Sequence, residues 1–428
     1  MITLLETLNF RCLRYIHQPL GPFHVLVGPN ASGKTTFLDV ISFLNRLVSD
    51  GLEAAVSERT SHFQDLVWER SGNRFELALE VRVPESISLR FSDQDQGYDT
   101  LRYEIAIGID KETEKTEILE ERVLLIKIKG LDASQRASFP MDERTLFPAL
   151  FNAPGSLIST DISNTSTIVN KVKQGNDYFK TEFLQIREKN WPYAFKLGPQ
   201  KSALGNLPAD ETQFPATTWF RTLLTEGVQP FVLNSLLIRK ASPPGQGRGF
   251  KPDGSNLPWV IEDLYRKNPA RFNEWIAHLQ TALPDIEGIR TVEREDDKHR
   301  YLILKYKGGL EVPSWMVSDG TLRLLALTLP AYLTELKGIY LIEEPENGIH
   351  PRAVETVFQS LSSVYDAQIL LATHSPVILS IAEANQVLCF AKTPEGSTDI
   401  VSGDMHPALK DWKGETNLGV LFASGVLG

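Results

Sequence analysis

The residues best suited to chemistry lie near the start of the chain, where Gly28, Pro29, Asn30, Ala31, Ser32, Gly33, Lys34 and Thr35 carry the pattern G-x-x-x-x-G-K-[ST]. That pattern suits the holding of a nucleotide's phosphates. Glycines at its ends let the backbone turn closely enough for its N–H groups to face phosphate oxygens. The start of the helix that follows adds partial positive charge. Lys34 would bridge the β- and γ-phosphates, and Thr35 would offer its hydroxyl to Mg2+. Asn30, Ala31, Ser32, Gly33 and Thr36 complete the expected nucleotide-binding stretch.

Three distal groups complement the loop. Gly338 to Ile342 is an apolar run that ends in the adjacent carboxylates Glu343 and Glu344. At a strand end, two such groups can serve one site from different angles. Glu343 is assigned to the metal, and Glu344 to orienting and polarising an attacking water. Ser318 precedes Asp319, Gly320 and Thr321 and a helical pattern of Leu322, Leu325, Ala326 and Leu329. A serine there caps the helix, and a capped N-terminus beside a glycine is also a γ-phosphate site. Ile369 to Thr373 reads as a strand that delivers His374, expected to sense the γ-phosphate.

These groups need an α/β frame. Phe23 to Val27 is a buried-strand run before the loop, and Phe37, Val40, Ile41, Leu44 and Leu47 fall on one face of a helix after it. Strict alternation over Phe75–Val83 and Leu101–Ile107, and a β-rich Ile118–Ile128, predict further strands. Three regions are expected: an N-terminal lobe with the β-subdomain (1–130), a mixed insertion (131–290) and a C-terminal lobe (291–428). Within the insertion, helices are expected near Thr217–Thr225 and Trp259–Leu283, and a Gly/Pro-rich loop at 241–254 is expected to be mobile. A hairpin is expected around Asp296–Lys298.

Composition narrows the function. A formal net charge of -10 argues against non-specific coating of nucleic acid. Cys12 and Cys389 are too few for a disulfide framework, which suits a reducing cytoplasm. The greasiest run, Leu322–Leu333, contains Arg323 and Pro330, and the N-terminus lacks a signal-peptide pattern. A cytoplasmic protein without a membrane partner is expected.

The ordered set of Leu8–Arg11, Gly28–Thr35, Ser318–Thr321, Leu341–Pro351 and Ala372–Pro376 resembles the motif set of ABC ATPases. The likeness is to the SMC, RecF and OLD-like group, and specifically to its bacterial "predicted ATPase" branch. Lys196–Gly198, Asp253–Pro258, Asp411–Trp412 and Ser424–Leu427 look like that branch as well. The resemblance implies an ABC-type P-loop fold with a mixed sheet, an antiparallel β-subdomain, a mixed α/β insertion and no long coiled coil. It implies ATP and Mg2+ as ligands, and a homodimer with two ATPs at its interface, open to higher assembly. Ser318 and Gly320 of one copy would then face Lys34, Thr35, Glu343, Glu344 and His374 of the other. Gln64 is the implied metal-side glutamine. Arg11 is either a nucleotide contact or a surface strand arginine. The sequence departs from the family pattern at Glu343, at Asp319 and at His350, which stands where an aspartate is usual. Pro330 is expected to shorten the helix after Ser318.

Lys34 and Ser318 are 284 positions apart, too far for a transporter domain, and the interval lacks heptads. By family analogy, the chain is expected to be the ATPase of an antiviral defence system that controls a separate effector. That effector would be a separate nuclease, a Toprim-type enzyme being one option, since only 54 residues follow His374. The alternative is a RecF-like repair factor that binds DNA through Arg239, Lys240, Arg248 and Lys251, residues that equally suit a solvated surface. A third reading is an ATP-switched structural dimer with slow turnover.

Overall fold

The structure, a computed structural model, describes residues 1–90, 98–127, 153–159, 165–173, 175–183, 193–247, 249–334, 336–406 and 418–423. Arg248, Asp411, Trp412 and Ser424–Leu427 lie outside these residues. No helix among the described residues is long and apolar enough to cross a membrane.

Three strands open the chain: β1 (Ile2–Phe10), β2 (Leu13–Pro19) and β3 (Phe23–Val27). The described chain forms two compact units that alternate along the sequence. The first comprises 1–21, 28–228 and 388–410, and the second 22–27, 229–387 and 411–428.

In the first unit, β1 and β2 join β4 (Arg74–Arg82), β5 (Tyr98–Ile109), β6 (Thr116–Lys127), β7 (Thr165–Val172), β8 (Asp177–Phe179) and β9 (Tyr193–Phe195). The order is β2-β1-β4-β5-β6-β7-β8-β9, antiparallel throughout. The expected β-subdomain is thus one continuous sheet. Helix α1 (Lys34–Asp50) buries Phe37, Val40, Ile41, Phe43, Leu44 and Leu47. Phe43 meets Phe10 and Phe75 at ring-centroid distances of 5.8 and 5.6 Å. Each such side chain contributes about 1.5–3 kcal/mol by leaving water. Helix α2 (Pro215–Thr222) continues into a π-turn, Leu223–Gly227.

The irregular stretches of this unit are tied down by buried carboxylates rather than by apolar packing alone. Glu76 accepts the Leu157 N–H at 2.5 Å and the Ser156 hydroxyl at 2.8 Å, and Glu104 accepts the Ser159 N–H at 2.9 Å. Glu121 accepts the N–H groups of Ala203 and Leu204, and Glu182 those of Ala216 and Thr217 at the start of α2. Carboxylate acceptors make these bonds stronger than neutral ones.

In the second unit, β10 (Val228–Phe231), β14 (Gly338–Glu343) and β15 (Ala367–Ala372) form a sheet with β3 in the order β10-β14-β15-β3. Both β14–β15 and β15–β3 are parallel, and every residue of β15 is buried. That explains the unbroken apolar runs that mark these strands in the sequence. A separate antiparallel sheet holds β11 (Ile286–Glu293), β12 (Arg300–Tyr306) and β13 (Glu311–Pro313), with the expected hairpin turning at Lys298. Helices α3 (Leu257–Lys267) and α4 (Pro269–Ala282) replace the single helical span expected there. The break falls at Asn268, the residue before Pro269, whose side chain caps α4. Helix α5 (Asp319–Thr328) stops where Pro330 forces a 3-10 turn, as expected. Helices α6 (Pro351–Ser362) and α7 (Pro376–Ile381) follow β14 and β15. Back in the first unit, β16 (Val387–Lys392) pairs with β17 (Thr398–Ser402).

The described residues of the Gly/Pro-rich stretch 241–254 make several specific contacts. Phe250 stacks on Phe231 at 5.2 Å, and buried Asn256 donates to the carbonyls of Gly247 and Gly249.

Glu6 gives this fold an acid-sensitive joint. Burial pushes its carboxyl up, but the hydrogen bond from His17 and the charge of Arg102 outweigh burial and hold it below the usual range. The stabilisation is therefore fully present above the ordinary carboxylate pKa and is lost as pH falls through the lowered one. Thermal midpoints measured from pH 7 down to pH 3 should drop less steeply for Glu6→Gln than for the parent; equal slopes would show that this pair contributes nothing.

Candidate nucleotide site

The phosphate loop lies in the first unit. Gly28 and Gly33 have φ of 152° and 105°, values that side chains resist. A β-carbon on Gly28 would sit 2.2 Å from the Phe390 carbonyl oxygen, and one on Gly33 would sit 2.2 Å from Thr398 Oγ1. Thr398 in turn donates its hydroxyl to the Ser32 carbonyl at 2.9 Å. The loop is thus seated against β16 and β17. Gly33 occupies the N-cap of α1 with no side-chain cap, which leaves the helix N-terminus open to an anion. Lys34 curls back, its Nζ donating to the carbonyls of Gly28 and Pro29 at 2.8 and 2.9 Å. The Ser32 hydroxyl is buried without a partner among the described residues, a group that a phosphate oxygen would satisfy. Asn30, Ala31 and Thr35 are exposed, and Thr36 is half-buried.

Arg11 and Gln64 belong to this unit too. Arg11, with a left-handed φ of 50°, sends its guanidinium to Asp39 of α1 at 3.1 Å, and its N–H bonds Leu66 O. Asp39 also receives Arg59 at 2.6 Å. Arg11 is therefore engaged on the side of α1. Gln64 is exposed on the turn Phe63–Leu66.

The carboxylates lie in the second unit. Register places Ala372 opposite both Glu343 and Leu26, so β14, β15 and β3 end along one edge. Glu343 is exposed at the last position of β14. Glu344 follows with φ 47°, a left-handed conformation that costs a non-glycine residue about 1–3 kcal/mol. Its N–H donates to Ala372 O at 2.8 Å, and its carboxylate accepts from Asn347. Backbone strain held by neighbouring bonds is a mark of a working position.

Sequence reasoning passed over Glu346. Its Oε1 accepts the Thr373 hydroxyl at 2.6 Å and the His374 N–H at 3.0 Å. The available signal was a third acid in a turn shared by Glu343 and Glu344. His374 is half-buried just past β15.

Ser318 caps α5, its Oγ accepting the Thr321 N–H at 3.2 Å, and it is exposed beside Gly320. Gly320 packs so tightly that a β-carbon would lie 2.5 Å from Gly348 O. Asp319 is held by Arg239 through Nη2 and Nε at 2.6 and 2.9 Å. Arg239, offered by the sequence as a DNA contact, is thus committed to α5. His350 is explained by capping: its Nδ1 accepts the Arg352 N–H at 3.2 Å at the start of α6.

The donor set fits a nucleotide with Mg2+. No group of three or more His, Cys, Asp or Glu side chains poised for a metal occurs among the described residues. Magnesium in phosphate sites instead takes one or two protein oxygens, and the Thr35 hydroxyl and Glu343 carboxylate are hard donors of that kind.

The glycine cradle gives a direct expectation. Gly28→Ala should cost about 1–3 kcal/mol of stability as the loop is forced off its seat, and should abolish ATP binding in a calorimetric titration. Gly155→Ala, where the added carbon meets nothing within 4 Å, should do neither. Unchanged ATP affinity in Gly28→Ala would remove the loop from the site.

Comparison with known proteins agrees with this frame. An "OLD nuclease" from Thermus scotoductus is 50% identical over 44 residues, which span 10% of this chain and 8% of that relative's length. A solved structure described as "Crystal structure of the SmcHead bound to the C-winged helix domain of ScpA" superposes with a TM-score of 0.53 at 13% identity. It covers 94% of this chain and 97% of the other, and establishes the fold as that of an ABC-type ATPase head. The sequence model of one family matches residues 23–380, so the chain belongs to that family, described as "AAA domain, putative AbiEii toxin, Type IV TA system", and it is an ABC-type ATPase of the SMC, RecF and OLD group.

Proposed function

We propose that the chain binds ATP with Mg2+, hydrolyses it, and uses the cycle to close and reopen a homodimer that governs a separate effector in antiviral defence. The carrying observation is the strained Glu344 at a strand end shared with the His374 strand, in a chain whose glycine loop leaves room for an anion and for no side chain.

The N–H groups of Asn30 to Thr36, with Lys34, bind and orient the phosphates. Thr35 and Glu343 hold Mg2+, with Gln64 as a further candidate; the bound ion neutralises phosphate charge. Glu344 accepts the proton of the attacking water, and His374 contacts the γ-phosphate. Ser318, Gly320 and the N-terminus of α5 suit the phosphates of an ATP held by a second copy. Arg11 acts through Asp39 on the seat of α1. The effector reading draws on the printed names of the relatives, a nuclease and a toxin family.

Phosphate release and light scattering test this together. The parent should release phosphate, Lys34→Ala should not, and Glu344→Gln should fall about 10²–10⁴-fold. With ATP, Glu344→Gln should run at twice the 48.0 kDa chain mass, and Lys34→Ala should not shift. Phosphate release by Lys34→Ala equal to the parent's, or a mass indifferent to ATP, would sink the proposal.

A further inference from the structure

We propose that Glu346 is a positioning residue that sets the His374 imidazole for its phosphate contact; the inference rests on the role just given to His374. Glu346 stands two residues past Glu344 in the turn that leaves β14, and His374 stands in the turn that leaves β15. One oxygen, Glu346 Oε1, joins the two turns by accepting the Thr373 hydroxyl at 2.6 Å and the His374 N–H at 3.0 Å. Thr373 Oγ1 in turn accepts the Ser375 N–H at 2.9 Å, and Ser375 Oγ caps α7. Apart from the Thr373 N–H, which donates to Leu26 O at 3.1 Å, the turn 373–375 is tied through this one carboxylate oxygen.

Two features separate this arrangement from an ordinary loop staple. Glu346 forms no ion pair among the described residues, and its hydrogen bonds are made by a carboxylate acceptor. Its second oxygen is buried with no partner among those residues, a cost that a merely structural contact would have no reason to carry. The same turn holds the left-handed Glu344, whose N–H is fixed on Ala372 O. Loss of Glu346 leaves Glu344 its own tie to β15 and releases the His374 turn alone. The prediction is therefore selective: His374 should lose its setting while the phosphate loop, in another part of the chain, keeps its grip on ATP.

The test compares Glu346→Ala and Glu346→Gln with His374→Ala and the double variant Glu346→Ala/His374→Ala. Glu346→Ala should lower kcat for ATP about 10²-fold, the usual effect of a misplaced group, with KM nearly unchanged. Glu346→Gln keeps an acceptor oxygen in place and should recover most of the loss. The double variant should be no slower than His374→Ala, because Glu346 acts only through the imidazole. In the nucleotide-free protein, the imidazole NMR signals of His374, assigned through His374→Ala, should move in Glu346→Ala and stay put in Glu346→Gln. That readout does not need hydrolysis, so a parent without ATPase activity would fail the functional reading while the positioning claim is still decided. Should Glu346→Ala not fold, Thr373→Val removes one of the two donors and should give the same changes at smaller size. Multiplying losses in the double variant, or a lowered thermal midpoint with kcat and the His374 signals unchanged, would overturn the proposal.

Discussion

Parallel pairing of β3, β15 and β14 is the constraint on which the candidate site depends. Ala372 lies opposite Leu26 on one side and Glu343 on the other, so the three strands finish level. The next residues along the chain are Gly28, Thr373 and Glu344 or their immediate neighbours. Every residue of β15 is buried between its neighbours. Parallel sheets present their ligands at this carboxyl edge. Here the edge is where the paired carboxylates and the histidine begin.

Beyond that edge, polar ties replace apolar packing. Glu344 is held in a left-handed conformation by a backbone bond to Ala372, Glu346 carries the His374 turn, His350 caps α6 and Ser318 caps α5. The close approach of Gly320 to the Gly348 carbonyl fixes the start of α5 against the turn that follows Glu344. The antiparallel sheet uses the same device at larger scale, with Glu76, Glu104, Glu121 and Glu182 each gripping the backbone of an irregular stretch. Charge-assisted bonds suit segments too short to form a core of their own.

Much of this was legible because spacing itself carries the information. The glycine loop needs its residues at fixed separations, and the strand-to-helix context around Gly28–Thr35 is local. Strict alternation announced β4 and β5, and Pro330 announced the end of α5. What escaped depends on partners distant in sequence. The sequence leaves open what Arg11 and Arg239 do, because their partners Asp39 and Asp319 are distant along the chain. The glycines of 241–254 gave no sign of the contacts that Asn256 and Phe231 make with Gly247, Gly249 and Phe250. Glu346 was passed over because the donors it accepts from, Thr373 and His374, come from a different strand end. Pro269, by contrast, was visible, and the division of α3 from α4 could have been read from it.

The most direct test of the account is amide hydrogen exchange on the parent protein with and without ATP and Mg2+. The proposed function has Lys34, Glu344 and His374 act on ATP. It predicts that peptides covering 28–36, 343–347 and 373–375 slow together on adding ATP, and that Lys34→Ala abolishes all three effects at once. Protection confined to the loop, with the Glu344 and His374 peptides unchanged, would contradict it.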